Sequence, residues 1–473
     1  MSQVDKKNKL IPNDWASTKL DCVVNIVRGV TYKKDQASDF FVAGYLPVIR
    51  ANNIQNDKLI LSDFVYVDAN IIKCTQKIKK NDIIVAMSSG SKSVVGKTAK
   101  AESDLDAAFG AFCGLLRPSS LIIPEMIGFY TRSAYYRNKV SELSAGANIN
   151  NLKPAHFCEL DFPLPPLAEQ KEIAGQLDTL LAQVEATQAH LARIPDIIKR
   201  FRQSVLSAAV SGKLTEEWRI KHANTPWLDG VLGDFINKPT YGSSAKSDKD
   251  GLVPVLRMGN LQNGKLDWTE LVYTSDEVEI KKYKLRTGDV LFNRTNSPEL
   301  VGKTSIYRGE RTAIYAGYLI KISCLPVLNP EFLNYHLNSP SARAYCYAVK
   351  SDGVSQSNIN AKKLAEYPMS LPQPAEQTEI VRRVEQLFTY ADSIEQQAKA
   401  AKARVDKLTQ AILAKAFRGE LTADWRAANP DLISGDNSAA ALLARIQAER
   451  ATAKPRKRAS KPAISPTSSG VPQ

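Results

Sequence analysis

The sequence contains one internal duplication, at a shift of 207 residues. At this shift LPVIRANNIQNDKL, residues 46–59, falls on VPVLRMGNLQNGKL, residues 253–266, with eight identities in fourteen positions. The same shift places LPPLAEQKEI on LPQPAEQTEI, and SVLSAAVSGKLTEEWR on AILAKAFRGELTADWR. Solenoids and propellers have repeats of about 20 to 50 residues, far shorter than this period. The chain is therefore expected to fold as two related halves, each of domain size.

Each copy ends in a long heptad pattern. After a proline cluster and AEQ, apolar residues follow at alternating spacings of four and three, which is typical of a helix that packs along its length against a partner. In the second copy a helix from about Ala375 to Phe417 would be ~65 Å long at ~1.5 Å per residue. The predicted seam residues are Ile173, Leu177, Leu180, Val184, Leu191 and Ile198 in the first copy, and Ile380, Val384, Leu387, Ile394, Val405 and Leu408 in the second.

Two glycines and one proline give the predicted ends and irregularities of these helices. Gly212 and Gly419 stand where a left-handed residue would end each helix, just before the matched LT..WR segments. Pro195 lies inside the first seam, where the second copy has Lys402. A proline inside a helix costs roughly 3 kcal/mol or forces a kink. Pro195 therefore predicts either a bend near Arg193 or two helices that meet at a short break.

The first part of each copy predicts strands with some helix. Short apolar runs, such as NDIIVAM and FGAFCGLL in the first copy and GDVLFNR and YAGYLIKIS in the second, are separated by Gly, Pro, Asn and Ser. This pattern is typical of an α+β fold with a mixed or barrel-like sheet, whose strand order stays open. After the second copy, residues 438–451 predict a short amphipathic helix, and the Pro-, Ser- and Lys-rich end predicts a disordered basic tail.

Charge favours a polyanionic partner. Lys and Arg number 63 against 49 Asp and Glu, a formal net charge of +14, which attracts nucleic acid or anionic lipid. No run of about 18 apolar residues predicts a membrane span. The amino terminus lacks the apolar core of a secretory signal, so a cytoplasmic location is expected. Six cysteines without a CxxC or a close pair are expected to be reduced and mostly buried.

Catalytic motifs are missing from the sequence. Gly-Lys-Thr occurs at residues 96–98 and 302–304, but Ser91 and Ser297 stand where a Walker A loop needs its first glycine. The four histidines are far apart, with no HExxH, and no [DNS]PP[YF] motif of amino-methyltransferases occurs. We therefore expect no catalysis by this chain alone, no metal site and no bound cofactor. The Gly-Lys-Thr segments are interpreted as surface turns whose lysines contact a nucleic-acid phosphate.

Polar clusters in both copies favour binding to DNA. Arg and Lys read guanine edges, Asn and Gln read adenine edges, and lysines and hydroxyls bind phosphates. For any single residue of this set, a solvated turn residue is the alternative interpretation. The candidate DNA-binding residues are Arg28, Tyr32, Lys33, Lys34, Arg50, Asn52, Asn53, Ser89, Ser91, Lys92, Lys97, Asn148 and Asn150 in the first copy, and Arg257, Asn260, Arg294, Asn296, Lys303, Gln356, Asn358 and Asn360 in the second.

The repeated motifs resemble those of a known family. LPPLAEQKEI with its heptads and GKLTEEWR, then LPQPAEQTEI with EIVRRVEQLF and AFRGELTADWR, resemble the specificity subunits of type I restriction–modification enzymes. The close form of the pattern is similar to that of the enteric type IA group. The resemblance covers nearly the whole chain.

This resemblance implies an architecture and a set of partners. Two α/β target recognition domains are separated by two long antiparallel coiled-coil helices, with an internal pseudo-two-fold repeat. The subunit has no active site and binds double-stranded DNA at a bipartite, asymmetric target with an undefined gap. It assembles with two methyltransferase subunits, which use S-adenosylmethionine to methylate adenine N6. Two endonuclease/translocase subunits, which use ATP and Mg²⁺, complete the complex, and no membrane is involved.

The resemblance and the repeat together suggest domain boundaries. The expected parts are residues 1–162 and 221–370 as recognition domains, 163–220 and 371–428 as conserved helical spacers, and 429–473 as a short helix with a disordered basic tail. Three alternatives remain. A self-sufficient DNA-binding regulator would bind its site tightly without partners. A single-chain methyltransferase or nuclease needs motifs that are absent, and a purely structural coiled-coil protein leaves the two globular parts unexplained.

Overall fold

Two long helices are the largest elements of this computed structural model, which describes residues 11–146, 149–222, 225–353 and 356–453. Each has 44 residues, about 66 Å at ~1.5 Å per residue, and the two start 207 residues apart. Within the described ranges, no helix is both long and apolar enough to cross a membrane. The α-helices are α1 (Leu20–Val23), α2 (Pro124–Arg132), α3 (Ala134–Leu143), α4 (Leu167–Val210), α5 (Glu216–Lys221), α6 (Glu277–Tyr283), α7 (Pro330–Leu337), α8 (Pro340–Val349), α9 (Ala361–Ala365), α10 (Pro374–Phe417), α11 (Ala423–Ala428) and α12 (Ala439–Ala453).

The chain forms two compact units, and one of them is discontinuous in sequence. Unit 1 contains Met1–Gln188 and Ala403–Gln473, whereas unit 2 contains Ala189–Lys402. Each long helix therefore contributes its first part to one unit and its last part to the other. The predicted tail, from residue 454 onwards, lies outside the described residues.

The described residues of unit 1 form two four-stranded sheets and three two-stranded ribbons. One sheet is antiparallel in the order β10-β8-β12-β2, and the other is mixed in the order β11-β4-β7-β3, with β11 and β4 parallel. The ribbons are β1-β14, β13-β9 and β5-β6. The strands are β1 (Ala16–Lys19), β2 (Val24–Arg28), β3 (Ala37–Ser38), β4 (Tyr45–Ile49), β5 (Ile54–Gln55), β6 (Lys58–Leu59), β7 (Val65–Asp68), β8 (Ile83–Ala86), β9 (Ser88–Ser89), β10 (Thr98–Lys100), β11 (Ala108–Phe109), β12 (Cys113–Pro118), β13 (Asn150–Asn151) and β14 (Asp161–Leu164).

Unit 2 repeats this arrangement with small changes. Its antiparallel sheet has the order β16-β25-β21-β23, and its mixed sheet has the order β20-β17-β24 with β17 and β24 parallel. The smaller sheets are β15-β28, β18-β19 and β22-β27-β26. The strands are β15 (Leu228–Val231), β16 (Thr240–Tyr241), β17 (Val253–Leu256), β18 (Leu261–Gln262), β19 (Lys265–Leu266), β20 (Val272–Thr274), β21 (Val290–Asn293), β22 (Thr295–Asn296), β23 (Thr304–Ile306), β24 (Ile314–Tyr315), β25 (Leu319–Ile322), β26 (Ser351–Asp352), β27 (Ser357–Asn358) and β28 (Pro368–Leu371). The α+β fold class predicted from the apolar runs is confirmed.

The central strand β8 is apolar throughout because both of its faces are covered. In β8, Ile83 and Val85 belong to the apolar core that contains α2 and the start of α4. Ile84 points to the second core, formed with the mixed sheet. Alternate residues of a strand face opposite sides, so a run with no polar position indicates a strand buried on both faces. In unit 2 the equivalent β21 divides Val290 and Leu291 between two cores in the same way.

The two long helices run antiparallel in each unit. In unit 1, Gln188 Nε2 donates to Asp406 Oδ1 at 3.0 Å, and Thr422, beyond the end of α10, meets Glu169 at the start of α4. In unit 2, Arg202 Nη2 donates to Asp392 Oδ1 at 2.6 Å. Both helix–helix contacts have the same register. The antiparallel pairing that the resemblance implied is therefore observed within each unit.

Helix α4 continues unbroken through Pro195. The alternative of two helices meeting at a break is wrong. Packing of half-buried Leu191 and buried Ile198, on either side of Pro195, offsets the cost of the lost backbone hydrogen bond. Gly212 and Gly419 have φ angles of 76° and 72°, so a left-handed residue follows each long helix as predicted.

The predicted seam is buried most completely near the ends of the pair. Ile173, Leu177, Val184, Ile198, Ile380 and Val384 are buried, and Leu180, Leu191, Leu387, Ile394 and Val405 are half-buried. Leu408, by contrast, is 44% exposed, which contradicts its placement in the seam. The last turns of α10 instead bury Leu413 and Ala416 against the sheet-bearing part of unit 1. A heptad pattern describes a two-helix seam, and it fails where a helix also packs on a third element.

A buried glutamate holds the start of α4 in unit 1. Glu169 is fully buried, and its Oε1 accepts hydrogen bonds from Thr422 Oγ1 at 2.7 Å and from Arg426 Nη1 at 2.6 Å. Its Oε2 accepts from Trp15 Nε1 at 2.8 Å. A buried carboxylate is tolerated only when it is paired and hydrogen-bonded. This contact joins the amino-terminal strand region, the first long helix and the segment after the second.

Unit 2 contains the same cluster with exchanged partners. Glu376 is 2% exposed, and its Oε1 accepts from Thr215 Oγ1 at 2.7 Å and Arg219 Nη1 at 2.8 Å, while its Oε2 accepts from Trp227 Nε1 at 3.0 Å. The Glu of each AEQ motif is thus bound by the Thr and Arg of the LT..WR motif that follows the other long helix. We call these two clusters the glutamate clusters.

The C-terminal helix α12 belongs to unit 1 and packs on β1 and α1. Leu442 and Ile446 are buried in the main core, and the Arg450 guanidinium binds the carbonyl oxygen of Asp21. The helix predicted over residues 438–451 is observed, and the Ser438 hydroxyl caps it by accepting from the backbone N–H of Ala441 at 3.3 Å.

Glu376→Ala is expected to destabilise unit 2 by about 3 kcal/mol, because it leaves a partly buried guanidinium, a hydroxyl and an indole N–H without their acceptor. The measurement is urea unfolding followed by tryptophan fluorescence. Glu385→Ala, on the exposed face of the same helix, is the control and should change stability by less than about 0.5 kcal/mol. Equal effects of the two substitutions would show that the cluster does not stabilise the unit.

Candidate nucleic-acid interface

A short polar ribbon in unit 1 brings together two segments that are about 60 residues apart in sequence. Strand β9 pairs with β13, with Asn150 opposite Ser89 and Asn151 opposite Ser88. The Asn150 amide donates to the carbonyl oxygen of Gly90 at 3.4 Å. In the loop that follows β9, Ser91 and Lys92 are exposed. The predicted clusters SSGSKS and GANINN therefore form one surface, although Asn148 lies outside the described residues.

Unit 2 has a ribbon in the equivalent position. Strand β22 pairs with β27, with Thr295 opposite Asn358 and Asn296 opposite Ser357. These four residues lie 207 positions after their counterparts in β9 and β13. The Asn358 amide donates to Thr295 Oγ1 at 2.8 Å, and the exposed Gln356 precedes the strand. The two ribbons thus share a backbone position and present different side chains.

Two candidate residues of the first copy share one carboxylate. Arg50 Nη2 donates to the carbonyl oxygen of Asp63 at 2.9 Å and to its Oδ2 at 3.3 Å, and Asn52 Nδ2 donates to Oδ2 at 2.9 Å. A guanidinium has five N–H donors in a fixed fork. Arg50 therefore keeps donors that Asp63 does not occupy, while the ion pair fixes its direction.

Arg294 of the second copy is oriented by an aromatic ring. Its guanidinium carbon lies 4.7 Å from the ring centre of Tyr241, and its Nη1 donates to the carbonyl oxygen of Gly317 at 3.4 Å. Its Nε is buried without a hydrogen-bond partner. Stacking on an aromatic face holds a guanidinium in one plane and leaves its edge available to a ligand.

The other basic candidates differ in exposure. Arg28 ends β2 and is exposed, as are Lys33, Lys34, Lys97 and Arg257. Lys303 is half-buried, and its Nζ donates to Gln262 Oε1 at 3.4 Å. The Tyr32 ring is half-buried against a small apolar cluster around Val30. Both Gly-Lys-Thr segments form turns that lead into strands β10 and β23.

Three predicted DNA-binding asparagines have structural roles instead. Asn53 is 2% exposed, and its amide donates to the carbonyl oxygens of Ile60 at 3.0 Å and Ser62 at 2.7 Å. Asn260 is 4% exposed and bonds Asp267 and Glu270 in the same way. Asn360 caps α9 by accepting from the backbone N–H of Lys363 at 2.8 Å. We leave all three out of the proposed interface, because folding uses both polar atoms of Asn53 and Asn260 and the side-chain oxygen of the exposed Asn360.

Two exposed aromatic residues beside the ribbons escaped the sequence analysis. Phe112 is 71% exposed, and its carbonyl oxygen accepts from the N–H of Ser88 at 3.2 Å. Tyr318 is 52% exposed, and its carbonyl oxygen accepts from the N–H of Arg294 at 3.1 Å. Both precede a central strand and were read as strand residues in FGAFCGLL and YAGYLIKIS. The available signal was their matched position in FGAFCGLL and YAGYLIKIS, where the two copies align at a shift of 206 residues.

The groups that could carry chemistry have structural environments. Among the described residues no cluster of three or more His, Cys, Asp or Glu could hold a metal ion. His336 is buried beside the Tyr367 hydroxyl, 3.0 Å away, and burial lowers its pKa to about 4, so the imidazole is neutral. Burial raises the pKa of the Cys113 thiol to about 12. All six cysteines are free, but Cys74 and Cys158 are exposed, so the expectation of mostly buried cysteines holds only in part.

Comparisons with known proteins agree on one family. Residues 12–196 and 225–402 match the family described as the type I restriction modification DNA specificity domain. The chain is 49% identical over 455 residues to the type I restriction enzyme EcoKI specificity subunit of Escherichia coli K12, which covers 93% of this chain and 96% of that protein. It is 47% identical over 447 residues to the StySPI specificity subunit of Salmonella potsdam, with the same coverage.

Two solved structures have the same fold. The HsdS subunit from Thermoanaerobacter tengcongensis matches with a TM-score of 0.58, covering 87% of this chain and 98% of that one. A chain from a structure concerning complex assembly and conformational transition of the type I R-M system matches with a TM-score of 0.64, covering 87% and 99%. Both are 19% identical to this chain, so they show the fold alone.

The chain therefore belongs to the specificity subunits of type I restriction–modification systems, as the repeated motifs indicated. Subunits of this class recognise DNA sequence and do not themselves catalyse a reaction. They belong to a complex that binds DNA and contains methyltransferase and restriction subunits.

Asn53→Ala is expected to lower stability by about 2 kcal/mol, because two carbonyl oxygens and the N–H of Arg50 lose a buried partner. Asn52→Ala, at the neighbouring exposed position, should change stability by less than about 0.5 kcal/mol. Thermal unfolding monitored by circular dichroism makes the comparison. A stability loss for Asn52→Ala and none for Asn53→Ala would reverse the assignment.

Proposed function

We propose that this chain reads a bipartite, asymmetric DNA target, with one recognition domain on each half-site. The observation that carries the proposal is the pair of polar ribbons, which occupy equivalent positions in the two units and present different side chains. Two surfaces that have the same backbone arrangement but different side chains are suited to two half-sites of different base sequence. Residues 1–162 and 221–370 are the proposed recognition domains, and residues 163–220 and 371–428 are the spacers.

The proposed DNA surface of each unit is centred on its ribbon. Side-chain amides there provide paired donors and acceptors for base edges, and nearby lysines and hydroxyls provide phosphate contacts. Phe112 and Tyr318 add an exposed ring to each surface, suitable for stacking on a base or sugar. The contacts proposed are Arg28, Tyr32, Lys33, Lys34, Arg50, Asn52, Ser89, Ser91, Lys92, Lys97, Phe112, Asn148 and Asn150 for one half-site, and Arg257, Arg294, Asn296, Lys303, Tyr318, Gln356 and Asn358 for the other.

The long helices are proposed to set the gap between the half-sites. Each is continuous over about 66 Å, and each is tied at its start by a glutamate cluster. A rigid helix with fixed ends would hold the two recognition domains at one separation, whereas a flexible linker would allow many separations. The chain is further proposed to act in the cytoplasm and to assemble with two methyltransferase and two endonuclease/translocase subunits. S-adenosylmethionine, ATP and Mg²⁺ are assigned to those partners.

Mapping of N6-methyladenine across the genome tests this function. A host carrying the gene with its partner subunits should show methylation at one asymmetric, gapped motif that a deletion strain lacks. Replacing residues 1–162 with the equivalent segment of the EcoKI relative should change one half of that motif and leave the other half intact. The matched exchange of residues 221–370 should change the opposite half. A change of both halves by either exchange contradicts the division of the target between two domains.

Insertion of one heptad into both helices tests the spacer. The register of Arg202 with Asp392 places Ala398 opposite Asp196, so seven residues added after each position keep the pairing. The added length is about 10 Å, which corresponds to roughly three base pairs at ~3.4 Å per pair. Methylation mapping should show a longer gap with unchanged half-sites. An unchanged gap with full methylation would show that the helices do not set it.

A further inference from the structure

Arg294 lies between strands β21 and β22 of unit 2, and its guanidinium has few acceptors. Nη1 donates to the carbonyl oxygen of Gly317 at 3.4 Å, which is the only hydrogen bond of this guanidinium among the described residues. Nε is buried and has no acceptor there. A guanidinium carries five N–H donors, and a buried donor without an acceptor costs free energy. An unsatisfied group of this kind in a folded protein calls for an explanation.

The other half-buried arginines that the structure describes in unit 2 all have strong acceptors. Arg202, Arg219 and Arg383 each bind a carboxylate of α10. Arg343 donates from its two terminal nitrogens to two backbone carbonyl oxygens. Arg294 has neither arrangement, although it is half-buried like the other four. Folding therefore leaves most of its donors available to a ligand.

Unit 1 indicates that the fold does not require an arginine at this position. The N–H of Ile359 donates to the carbonyl oxygen of Arg294 at 2.9 Å, and the N–H of Leu152 donates to that of Met87 at 2.7 Å. Arg294 and Met87 are 207 residues apart, as are their two partners, so the positions are equivalent. Met87 is 7% exposed and belongs to the main apolar core of unit 1. A thioether forms the same backbone position without any N–H donor to satisfy.

Tyr241 fixes the plane of the Arg294 guanidinium. The guanidinium carbon lies 4.7 Å from the centre of the Tyr241 ring. The Tyr241 hydroxyl in turn accepts a hydrogen bond from the backbone N–H of Ala361 at 3.0 Å, at the start of α9. Stacking on a ring that is itself held in place restricts the guanidinium to one plane. An oriented fork of free donors is complementary to two acceptors that lie side by side in that plane.

DNA presents such a pair of acceptors in two places, at N7 and O6 of guanine in the major groove and at two oxygens of a phosphate. The surroundings of Arg294 favour guanine. Its N–H donates to the carbonyl oxygen of Tyr318, whose ring is exposed, and Asn358 precedes the residue that bonds its own carbonyl oxygen. Amides and exposed rings are groups that contact bases. A phosphate can be approached from many directions, whereas a base edge requires a donor fork in a defined plane.

We propose that Arg294, oriented by Tyr241, reads a guanine in the half-site bound by unit 2. The inference rests on the proposed function, in which each unit binds one half-site. Two N–H donors of the guanidinium bond N7 and O6 of this guanine in the major groove. The half-site of unit 2 therefore contains a G·C pair that depends on Arg294. Unit 1 has no such donor at the equivalent position, where Met87 stands, so its half-site is read by other residues.

Substitution of Arg294 by methionine tests this assignment in the complex assembled with the methyltransferase subunits. The side chain fits the equivalent position of unit 1, so Arg294→Met is expected to fold. Methylation mapping should show that Arg294→Met loses the preference for one G·C pair, within the half of the motif that exchange of residues 221–370 changes. The other half should stay intact. Arg286→Ala, at an exposed arginine of the same unit, is the control and should leave the motif unchanged. An unchanged motif with Arg294→Met, or a half-site without a G·C pair, overturns the inference and leaves the proposed function intact.

Base analogues separate guanine from phosphate. The assembled methyltransferase complex is titrated with duplexes in which each guanine of this half-site in turn is replaced by 7-deazaguanine, which lacks the N7 acceptor. At one position the unchanged complex should lose about tenfold in affinity, and the Arg294→Met complex should lose nothing further. Tyr241→Ala should reduce this loss, and Tyr241→Phe, which keeps the ring, should retain it.

Methylphosphonate linkages, which remove the charge of single phosphates, provide the opposing result. If Arg294→Met cancels the effect of one methylphosphonate and of no 7-deazaguanine, the arginine binds a phosphate and the inference is overturned. If the unchanged complex binds no duplex sequence-specifically, the proposed function fails and the inference fails with it.

Discussion

The glutamate clusters are the interaction on which the rest of the structure depends. A fully buried carboxylate is stable only when strong donors surround it. Glu169 and Glu376 obtain these donors from three parts of the chain: an indole before the first strand of each unit, and a hydroxyl and a guanidinium after the opposite long helix. Each cluster therefore fixes the start of one helix, the end of the other and the position of a recognition domain together.

This arrangement explains why the AEQ and LT..WR motifs occur twice. Each AEQ motif contributes the Glu of one cluster. The LT..WR motif of the other copy contributes the Thr and Arg that bind it. The Gln of AEQ adds a second anchor, because Gln170 Oε1 accepts from the N–H of Ile123 and Gln377 Oε1 accepts from the N–H of Asn329. The segments between the motifs are free of these constraints. Their ribbons and turns can therefore present different side chains on one common frame.

The repeat, the fold class and the long helices could be predicted from the sequence, because each depends on a regular pattern over many residues. The roles of Asn53 and Asn260 could not, since an asparagine in a polar turn has the same sequence signature whether it binds DNA or two backbone carbonyls. Leu408 fits the heptad spacing but is exposed, because this end of α10 packs on the core of unit 1 through Leu413 and Ala416 instead. Phe112 and Tyr318 were missed because an apolar run that predicts a strand does not show which of its residues lies in the turn before that strand.

Unit 1 is built from two separate parts of the chain, so the two units are completed at different times during translation. Glu376 emerges from the ribosome after Thr215 and Arg219, so its partners are already present and unit 2 is continuous in sequence. Glu169, in contrast, is made 253 residues before Thr422. At roughly 5–20 residues per second, this carboxylate waits on the order of 13 to 50 s for its hydroxyl and guanidinium. The first recognition domain to be translated is therefore the last to be completed.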